Sequence, residues 1–224
     1  MPKILFNFAS RSRPNKLISA IQNIQDKIET SDYLILVTLD VDDTTCATNE
    51  FYERLKCYKH VMPVYGFSKN KIDAINKNVW MIDDFDILIN MSDDMYWLEK
   101  GFDKVIEDNM MESFPDLDGF LHYHDMSRAS DALCTLSIMG KKYYSRTNYI
   151  YHPDYANVYC DLEATEVAKA LGKHRFFDIH LFEHRHPIWG KAEMDAQYLK
   201  TENKEGYAAD YATYSRRRNN NFNI

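Results

Sequence analysis

Short runs of apolar and β-branched residues alternate with amphipathic stripes along the first half of the chain. Residues 3–8 (KILFNF) and 33–39 (YLILVTL) are two such runs. The stretch between them carries a stripe formed by Leu17, Ile21, Ile24 and Ile28, which has the spacing of one helix face. Pro14 falls near the first helical position, where its missing amide proton costs nothing, and Ser12 is a candidate cap. The pattern predicts a β-α-β unit.

The alternation continues as far as residue 124. We expect three more strands at 60–65, 86–91 and 119–124. The helices between them are predicted from apolar positions at helical spacing: Phe51 and Leu55; Ile72, Ile75 and Val79; Trp97, Leu98, Phe102, Val105 and Ile106. Strands that alternate with helices of roughly 10–15 residues form parallel sheets through right-handed crossovers. The sequence therefore predicts an α/β fold, with a mainly parallel sheet flanked by helices on both faces.

The second half of the chain is less regular. Strands are predicted at 133–139 and 176–182, and a helix is predicted from Asp161 to Leu171, ended by Gly172. Terminal helices with a stripe of Tyr207, Tyr211 and Tyr214 precede a frayed tail, SRRRNNNFNI. Because no linker or internal repeat divides the sequence, we expect a single domain.

Composition indicates a soluble globular protein. The 224 residues are 45% hydrophobic, and no apolar run approaches the roughly 18 residues that cross a bilayer. The first eight residues form too short an apolar stretch for a signal peptide and lack a small-residue cleavage site. We therefore expect a cytoplasmic protein without a membrane span.

Charge, glycine and cysteine usage exclude several classes. A net charge of −7 argues against a broad surface for duplex nucleic acid. The seven glycines are too widely spaced for a G-x-G-x-x-G motif, a Walker A loop or a G-x-S-x-G elbow. The four cysteines match no C-x-x-C pattern and are expected to be reduced packing residues.

Polar clusters follow each of the first four predicted strands: SRSR (10–13), DVDD (40–43), SKNK (68–71) and SDD (92–94). Ligands of parallel α/β sheets bind outside the carboxyl ends of the strands. The pattern therefore predicts one charged crevice.

Four cations belong to these clusters, namely Arg11, Arg13, Lys69 and Lys71. Their placement suits an anionic ligand such as a diphosphate, since Arg donates bidentate hydrogen bonds to its oxygens and Lys acts as a point charge. Ordinary surface charge is the alternative for each of them. Asp40, Asp42 and Asp43 either accept hydrogen bonds from a base or ribose or cap the following turn.

Asp93 and Asp94 follow an apolar strand directly. Paired carboxylates there suit a hard cation such as Mg²⁺ or Mn²⁺, although a helix-capping Asp with a solvated neighbour would give the same pattern. His184 and His186, in EHRHP, are candidate imidazole ligands that would favour Mn²⁺. The alternative is that one histidine packs internally and the other is exposed.

A rival pattern overlaps these histidines. His180, Glu183 and His184 spell H-x-x-E-H, the inverted zinc-protease signature, which requires a helix. Pro187 follows closely, and only 40 residues remain to supply a third ligand. We therefore expect no protease site.

Five segments together carry a family resemblance: KILFNFASRSRP, ILVTLDVDD, YGFSKNKIDAIN, ILINMSDDM and EHRHP. Over residues 3–190 the chain resembles nucleotide-sugar-dependent glycosyltransferases of the GT-A fold, similar to family 2 enzymes. The SDDM segment resembles their metal-binding D-x-D motif with Ser in the first place. The resemblance implies a Rossmann-like catalytic domain at 1–190, with a nucleotide-binding half of about 1–95 and an acceptor half of about 96–190. Residues 191–224 are then terminal helices and tail.

The resemblance also implies roles for individual residues. Asp94 would hold the metal with a late histidine, His184 or His186. Asp161, in YCDLE, resembles the family's catalytic carboxylate, although it could instead cap the helix that it precedes. Contacts to the nucleotide-sugar donor are implied for Ser10, Arg11, Arg13, Asp40, Asp42, Lys69, Lys71 and Asp93.

The expected activity is metal-dependent, inverting transfer of a sugar from a nucleoside-diphosphate sugar to an acceptor hydroxyl, with Mn²⁺ or Mg²⁺. A small polar molecule, a glycan or a modified nucleobase would be the acceptor. A nucleotidyltransferase is one alternative, although such enzymes often carry a glycine-rich loop where this chain has SRSRP. A nucleotide- or glycan-binding module of the same fold without turnover is the other.

Overall fold

The computed structural model describes residues 2–30, 32–126, 131–187, 190, 191, 193, 195, 199 and 203–224. The strands in these residues are β1 (Ile4–Ala9), β2 (Tyr33–Asp40), β3 (Val61–Gly66), β4 (Ile87–Met91), β5 (Met95–Trp97), β6 (Phe120–Tyr123), β7 (Ile138–Gly140), β8 (His174–Phe177) and β9 (Phe182–His184). Seven of them form a central sheet with the order β3-β2-β1-β4-β7-β6-β8, and β5 pairs with β9.

The central sheet is mainly parallel, as predicted. β1 pairs in parallel with β2 and β4, β2 with β3, and β6 with β8. β7 lies between β4 and β6 and is antiparallel to both. The carboxyl ends of the other strands of this sheet therefore meet at one edge.

Helices cover both faces of the sheet. They are α1 (Pro14–Lys27), α2 (Asn49–Lys56), α3 (Lys71–Asn76), α4 (Phe102–Ser113), α5 (Lys141–Tyr144), α6 (Cys160–Ala170) and α7 (Lys204–Asn219). Alternate side chains of β1 enter opposite cores: Phe6 packs with the buried face of α1, and Leu5 packs with the core that includes Ile72 of α3. This alternation explains why the inner strands are mainly apolar on both faces. None of the described helices is long and apolar enough to cross a bilayer.

The β5–β9 ribbon lies outside the central sheet. Its register pairs Met95 with His184 and Trp97 with Phe182. Trp97 stacks on Phe102 of α4, with ring centroids 3.9 Å apart. Trp97 and Leu98 were predicted in the helix, but the Leu98 amide continues the ribbon by donating to the Leu181 carbonyl. The helix begins only after Gly101, whose φ of 78° lies in the left-handed region that favours glycine.

Two predicted strands have different bounds in the structure. The expected strand at 133–139 is reduced to β7, because the Cys134 amide bonds to the Thr165 hydroxyl of α6 instead of a neighbouring strand. The expected strand at 176–182 covers the end of β8 and the first residue of β9, and these two strands belong to different sheets. The mainly apolar pattern FFDIHLF continues across this change of sheet and does not predict it.

The predicted frayed tail is wrong. α7 continues to Asn219, a 3₁₀ turn follows at Asn221–Asn223, and Phe222 is buried. Arg217 is also buried, where it pairs with Glu163 of α6 at 2.8 Å. Most of 188–202 lies outside the described residues, so the domain boundary at 190 stays a prediction.

Candidate active site

A crevice of about 700 Å³ opens at the carboxyl edge of the sheet. Every predicted site residue lines it: Ser10, Arg11, Arg13, Asp40, Asp42, Lys69, Lys71, Asp93, Asp94, Asp161, His184 and His186. The residues from Ser10 to Asp94 lie at or just after the ends of parallel strands at one edge of the sheet, and α6 supplies Asp161. His184 ends β9, and His186 lies two residues after it. The convergence predicted from the strand ends is therefore present.

Asp43 fixes the loop between β1 and α1. Its carboxylate accepts hydrogen bonds from the Ser12 amide at 2.7 Å and from the amide and hydroxyl of Thr45. Burial raises the pKa of Asp43, but these hydrogen bonds outweigh burial and hold its pKa below the usual value. Of the two roles considered for Asp43, the turn-stabilising one is observed. Ser12 has a φ of 60°, and Arg13 rather than Ser12 occupies the cap position of α1, with Pro14 next.

Arg11 joins two of the predicted donor-site aspartates. Its guanidinium donates to Asp40 at 2.8 Å and to both oxygens of Asp42 at 2.7 and 3.0 Å. These carboxylates raise the pKa of Arg11 further above its usual value. The cluster is thus ordered by ion pairing and projects from the ends of β1 and β2.

Asp93 is buried and connects β4 to the β1 loop. Its two oxygens accept from the Ser10 hydroxyl at 2.6 Å and from Arg13 at 3.2 Å. Arg13 also donates to Asp195 at 2.7 Å. Burial and the charge of Asp94 raise the pKa of Asp93, while Arg13 and Ser10 partly offset that rise.

Asp94 and His184 face each other across the crevice floor. The Nε2 atom of His184 lies 3.5 Å from an Asp94 carboxylate oxygen. That separation is within the span of two ligands on one ion, each about 2.0–2.2 Å from it. His186 lines the same crevice, and its ring centroid lies 5.3 Å from that of His184. The donor set of one carboxylate oxygen and one imidazole nitrogen fits a divalent cation such as Mn²⁺.

Three buried polar atoms in the crevice make no hydrogen bond within the described part of the chain. They are Asp40 Oδ1, Ser68 Oγ and His184 Nδ1. A buried polar atom without a partner costs about 1–3 kcal/mol. Their common location indicates a polar ligand in this crevice.

Asp161 of α6 lines the same crevice. It is the second residue of α6, since Tyr159 occupies the cap position, so the capping alternative for Asp161 is wrong. Burial raises its pKa, and the hydrogen bond from the Leu162 amide at 2.9 Å, followed by the charges of Lys71 and His184, partly offsets that effect. The group is therefore a weaker acid than an ordinary aspartic acid.

Sequence reasoning missed several other residues that line the crevice. Asp125 follows β6, lines the crevice and accepts a hydrogen bond from Thr135 at 2.9 Å. The rule that identified the other strand ends also applies to this one. Asn157 lies in a loop whose amides bind the Asp210 carboxylate of α7 at 2.9 Å, and Tyr207 of α7 lines the same wall. The C-terminal helix thus forms part of the site.

The zinc-protease pattern is not realised. Glu183 and His184 lie on β9 rather than on a helix, and His180 precedes that strand. The two histidines consequently lack the helical spacing that the signature requires.

Comparison with known proteins identifies the fold. No family model and no curated protein matches the sequence. Among solved structures, it is similar to the mannosyltransferase PcManGT from Pyrobaculum calidifontis in complex with GDP-Man and Mn²⁺, with a TM-score of 0.60 and 13% identity. It is also similar to S. aureus TarS 1-349 in complex with UDP-GlcNAc, with a TM-score of 0.62 and 10% identity.

These two likenesses establish the class of fold. They cover 80% and 86% of this chain, and 55% and 62% of the respective structures, so the chain spans little more than half of their length. The chain has the GT-A fold of nucleotide-sugar glycosyltransferases, as its sequence resemblance implies.

Proposed function

We propose that this protein is a metal-dependent glycosyltransferase that moves a sugar from a nucleoside-diphosphate sugar to an acceptor hydroxyl with inversion. The observation that carries the proposal is the crevice itself, where Asp94 and His184 lie 3.5 Å apart beside the cations of the strand ends. GDP-Man with Mn²⁺ and UDP-GlcNAc in the similar structures support this choice of donor class.

The donor's nucleoside is assigned to the ends of β1 and β2. Asp40 Oδ1 is buried without a hydrogen bond in the described residues, and it suits a donor group on a ribose or base. Arg11 holds Asp40 and Asp42 in place. Asp93 positions Ser10 and Arg13, and we assign Arg13 to the nucleotide at that loop.

The diphosphate is assigned to the region between Asp94 and the Lys69–Lys71 segment. Asp94 with His184 would hold the cation, with His186 beside them. When bound, a divalent cation stabilises the negative charge that develops on a departing diphosphate. Lys69 and Lys71 line the crevice and add positive charge on the same side.

Asp161 is assigned as the general base. Inversion in one displacement requires the acceptor oxygen to form its bond to the anomeric carbon as the bond to the diphosphate breaks, and the acceptor's proton passes to a carboxylate. A base with a raised pKa accepts that proton more readily near neutral pH, and burial raises the pKa of Asp161. Such assistance contributes about 10²–10⁴-fold in rate.

The test is donor turnover. Purified protein is incubated with UDP- and GDP-sugars in Mn²⁺ or in excess chelator, and release of the nucleoside diphosphate is followed. We expect release in Mn²⁺ that the chelator abolishes and that Asp161→Asn slows about 10²-fold or more. The exposed Asp108→Asn variant is the matched control.

Two results would reject parts of this assignment. Tight nucleotide binding without turnover over many hours would favour a binding module. Release of pyrophosphate from a nucleoside triphosphate would favour the nucleotidyltransferase alternative.

A further inference from the structure

We propose that His124, Asp178 and His180 form a second divalent-metal site, separate from the Asp94–His184 pair, and that it takes a transition metal of the Zn²⁺ type. Their nitrogen and oxygen ligand atoms all lie within 4.8 Å of one another. The ring centroids of His124 and His180 are 4.3 Å apart. No step assigned to sugar transfer uses any of these residues.

The sheet register explains why the three residues meet. β6 and β8 are parallel neighbours, and their last paired residues are Tyr123 and Phe177. His124 and Asp178 are the next residues on each strand, so the sheet delivers both to one point of its carboxyl edge. His180 follows two positions after Asp178, the spacing that returns a side chain to the same side of an extended chain.

The donor set favours Zn²⁺ over Mg²⁺. Two imidazoles and one carboxylate match the nitrogen-rich sites of zinc, whereas magnesium prefers oxygen ligands. Three protein ligands leave a fourth tetrahedral position open. Tetrahedral ligands at about 2.1 Å from an ion are roughly 3.4 Å apart, so small rotations of the exposed Asp178 and His180 side chains would close the site onto buried His124.

Metal binding here would change one backbone hydrogen bond. The Met126 amide donates to Nδ1 of His124 at 2.8 Å. A metal at Nδ1 takes the place of that amide, and a metal at Nε2 requires the ring proton on Nδ1, where the amide can no longer donate. In both cases the Met126 amide loses its present acceptor.

The His124 cluster lies next to the crevice and is not among its lining residues. Asp125, the residue after His124, lines the crevice. The backbone carbonyl of Asp125 accepts from the His184 amide at 3.3 Å. A metal at His124 would therefore act on the turn next to the crevice lining, by replacing the Met126 hydrogen bond with ligand bonds to Asp178 and His180.

The first test titrates Zn²⁺ alone into untagged, chelator-treated protein by calorimetry. The Asp94→Asn variant provides a background in which the crevice ligand is removed, and the wild type is titrated alongside. We expect one Zn²⁺ per chain in that background. Asp178→Asn and His180→Asn should each weaken it at least about tenfold, since even outer-shell changes at metal sites cost 10–100-fold.

Matched controls use exposed residues outside the cluster. Asp108→Asn and His60→Asn should leave Zn²⁺ affinity unchanged, and Asn suits the positive φ of 57° at position 60. No Zn²⁺ binding in the Asp94→Asn background would overturn the proposal, once circular dichroism shows that the variant keeps its native fold. Equal affinity in the cluster variants and the controls would overturn it as well.

The second test reads the Met126 amide directly. Protein labelled with ¹⁵N-methionine is titrated with Zn²⁺, and the Met126 resonance is assigned by Met126→Leu. We expect a large shift of this amide at one equivalent of metal, because its hydrogen-bond acceptor is removed. An unchanged Met126 resonance at saturation would show that Zn²⁺ binds elsewhere.

Discussion

Arg217 and Glu163 form a buried bidentate ion pair that joins the last helix of the chain to α6. The Nε atom of Arg217 lies 2.8 Å from one Glu163 oxygen, and Nη2 lies 2.8 Å from the other. The Tyr155 hydroxyl donates to the same carboxylate at 2.7 Å. Glu163 is two residues from Asp161, so this pair orients the helix that presents the candidate base.

Replacing Arg217 should destabilise the protein strongly. Arg217→Ala leaves a buried carboxylate without its cation, and we expect the free energy of unfolding to fall by about 3–5 kcal/mol. Arg218→Ala is the control, because the Arg218 side chain is 61% exposed and exposed pairs contribute about 0–1 kcal/mol. Urea denaturation of the two variants measures the difference, and losses of similar size would refute a structural role for Arg217.

Asp94→Asn should remove cation-dependent nucleotide binding without unfolding the protein. The substituted amide keeps the shape of the side chain but loses the charge that a divalent cation requires. Calorimetry with UDP or GDP, with and without Mn²⁺, should show that Mn²⁺ no longer strengthens binding in the variant. Wild-type affinity that is already unaffected by a chelator would contradict the metal assignment.

His184→Ala should impair metal-dependent activity far more than His186→Ala. The reason is position: His184 Nε2 lies 3.5 Å from the Asp94 carboxylate, and Nδ1 of the same ring is buried without a hydrogen bond in the described residues. Rates measured across a Mn²⁺ series separate the two variants. Equal and mild losses would mean that neither imidazole is a ligand.

Asp161→Asn should lower transfer by about 10² or more while leaving donor affinity and stability nearly intact. The base must be deprotonated to act, so wild-type activity should fall as the pH drops through the Asp161 pKa. Burial raises that pKa, which places the loss above the pH expected for an ordinary aspartate, about 3.9. A pH–rate profile of the variant that retains the wild-type acid limb would move the assignment to Asp125.

His122 and His174 should make the protein sensitive to acid. Their ring nitrogens lie 3.2 Å apart, and burial, followed by neighbouring positive charge, lowers the pKa of each to about 4. Because the folded pKa is depressed, the unfolded chain takes up protons first. The free energy of unfolding that these neutral histidines contribute is fully present above about pH 6.5. It is lost as the pH falls towards 4.

The expected slope is up to about 1.4 kcal/mol per pH unit for each histidine. Urea denaturation between pH 7 and 4 measures it, and His174→Asn should flatten the profile. Parallel profiles for the variant and the wild type would show that this pair does not titrate on unfolding.

The strand ends could be predicted from sequence because they obey local rules. Buried parallel strands are continuous apolar runs, and the polar residues after them must meet at one sheet edge. That reasoning placed Asp94 and Arg13 in one crevice, and the crevice is present. The end of β6 obeys the same rule, since Asp125 follows it and lines the crevice.

Side-chain pairing could not be predicted in the same way. Arg13 bonds to Asp93 and Asp195, which are 80 and 182 positions away, and no local pattern encodes such distances. The run of arginines at 216–218 is typical of a solvated tail, yet its middle member is buried because Glu163 approaches from another helix. The cap position of α6 has no sequence signal either, since Tyr159 occupies it with a φ of 62°.

The β5–β9 ribbon has a consequence for the order in which the chain folds. Its two strands bring together Asp94 and His184, which are 90 positions apart, so closing this contact costs more chain entropy than pairing consecutive strands. A nascent chain that has emerged only through β5 carries one proposed metal ligand, Asp94, without the other. Cation affinity at this pair would therefore arise late in folding, and its appearance would report that the β5–β9 ribbon has closed.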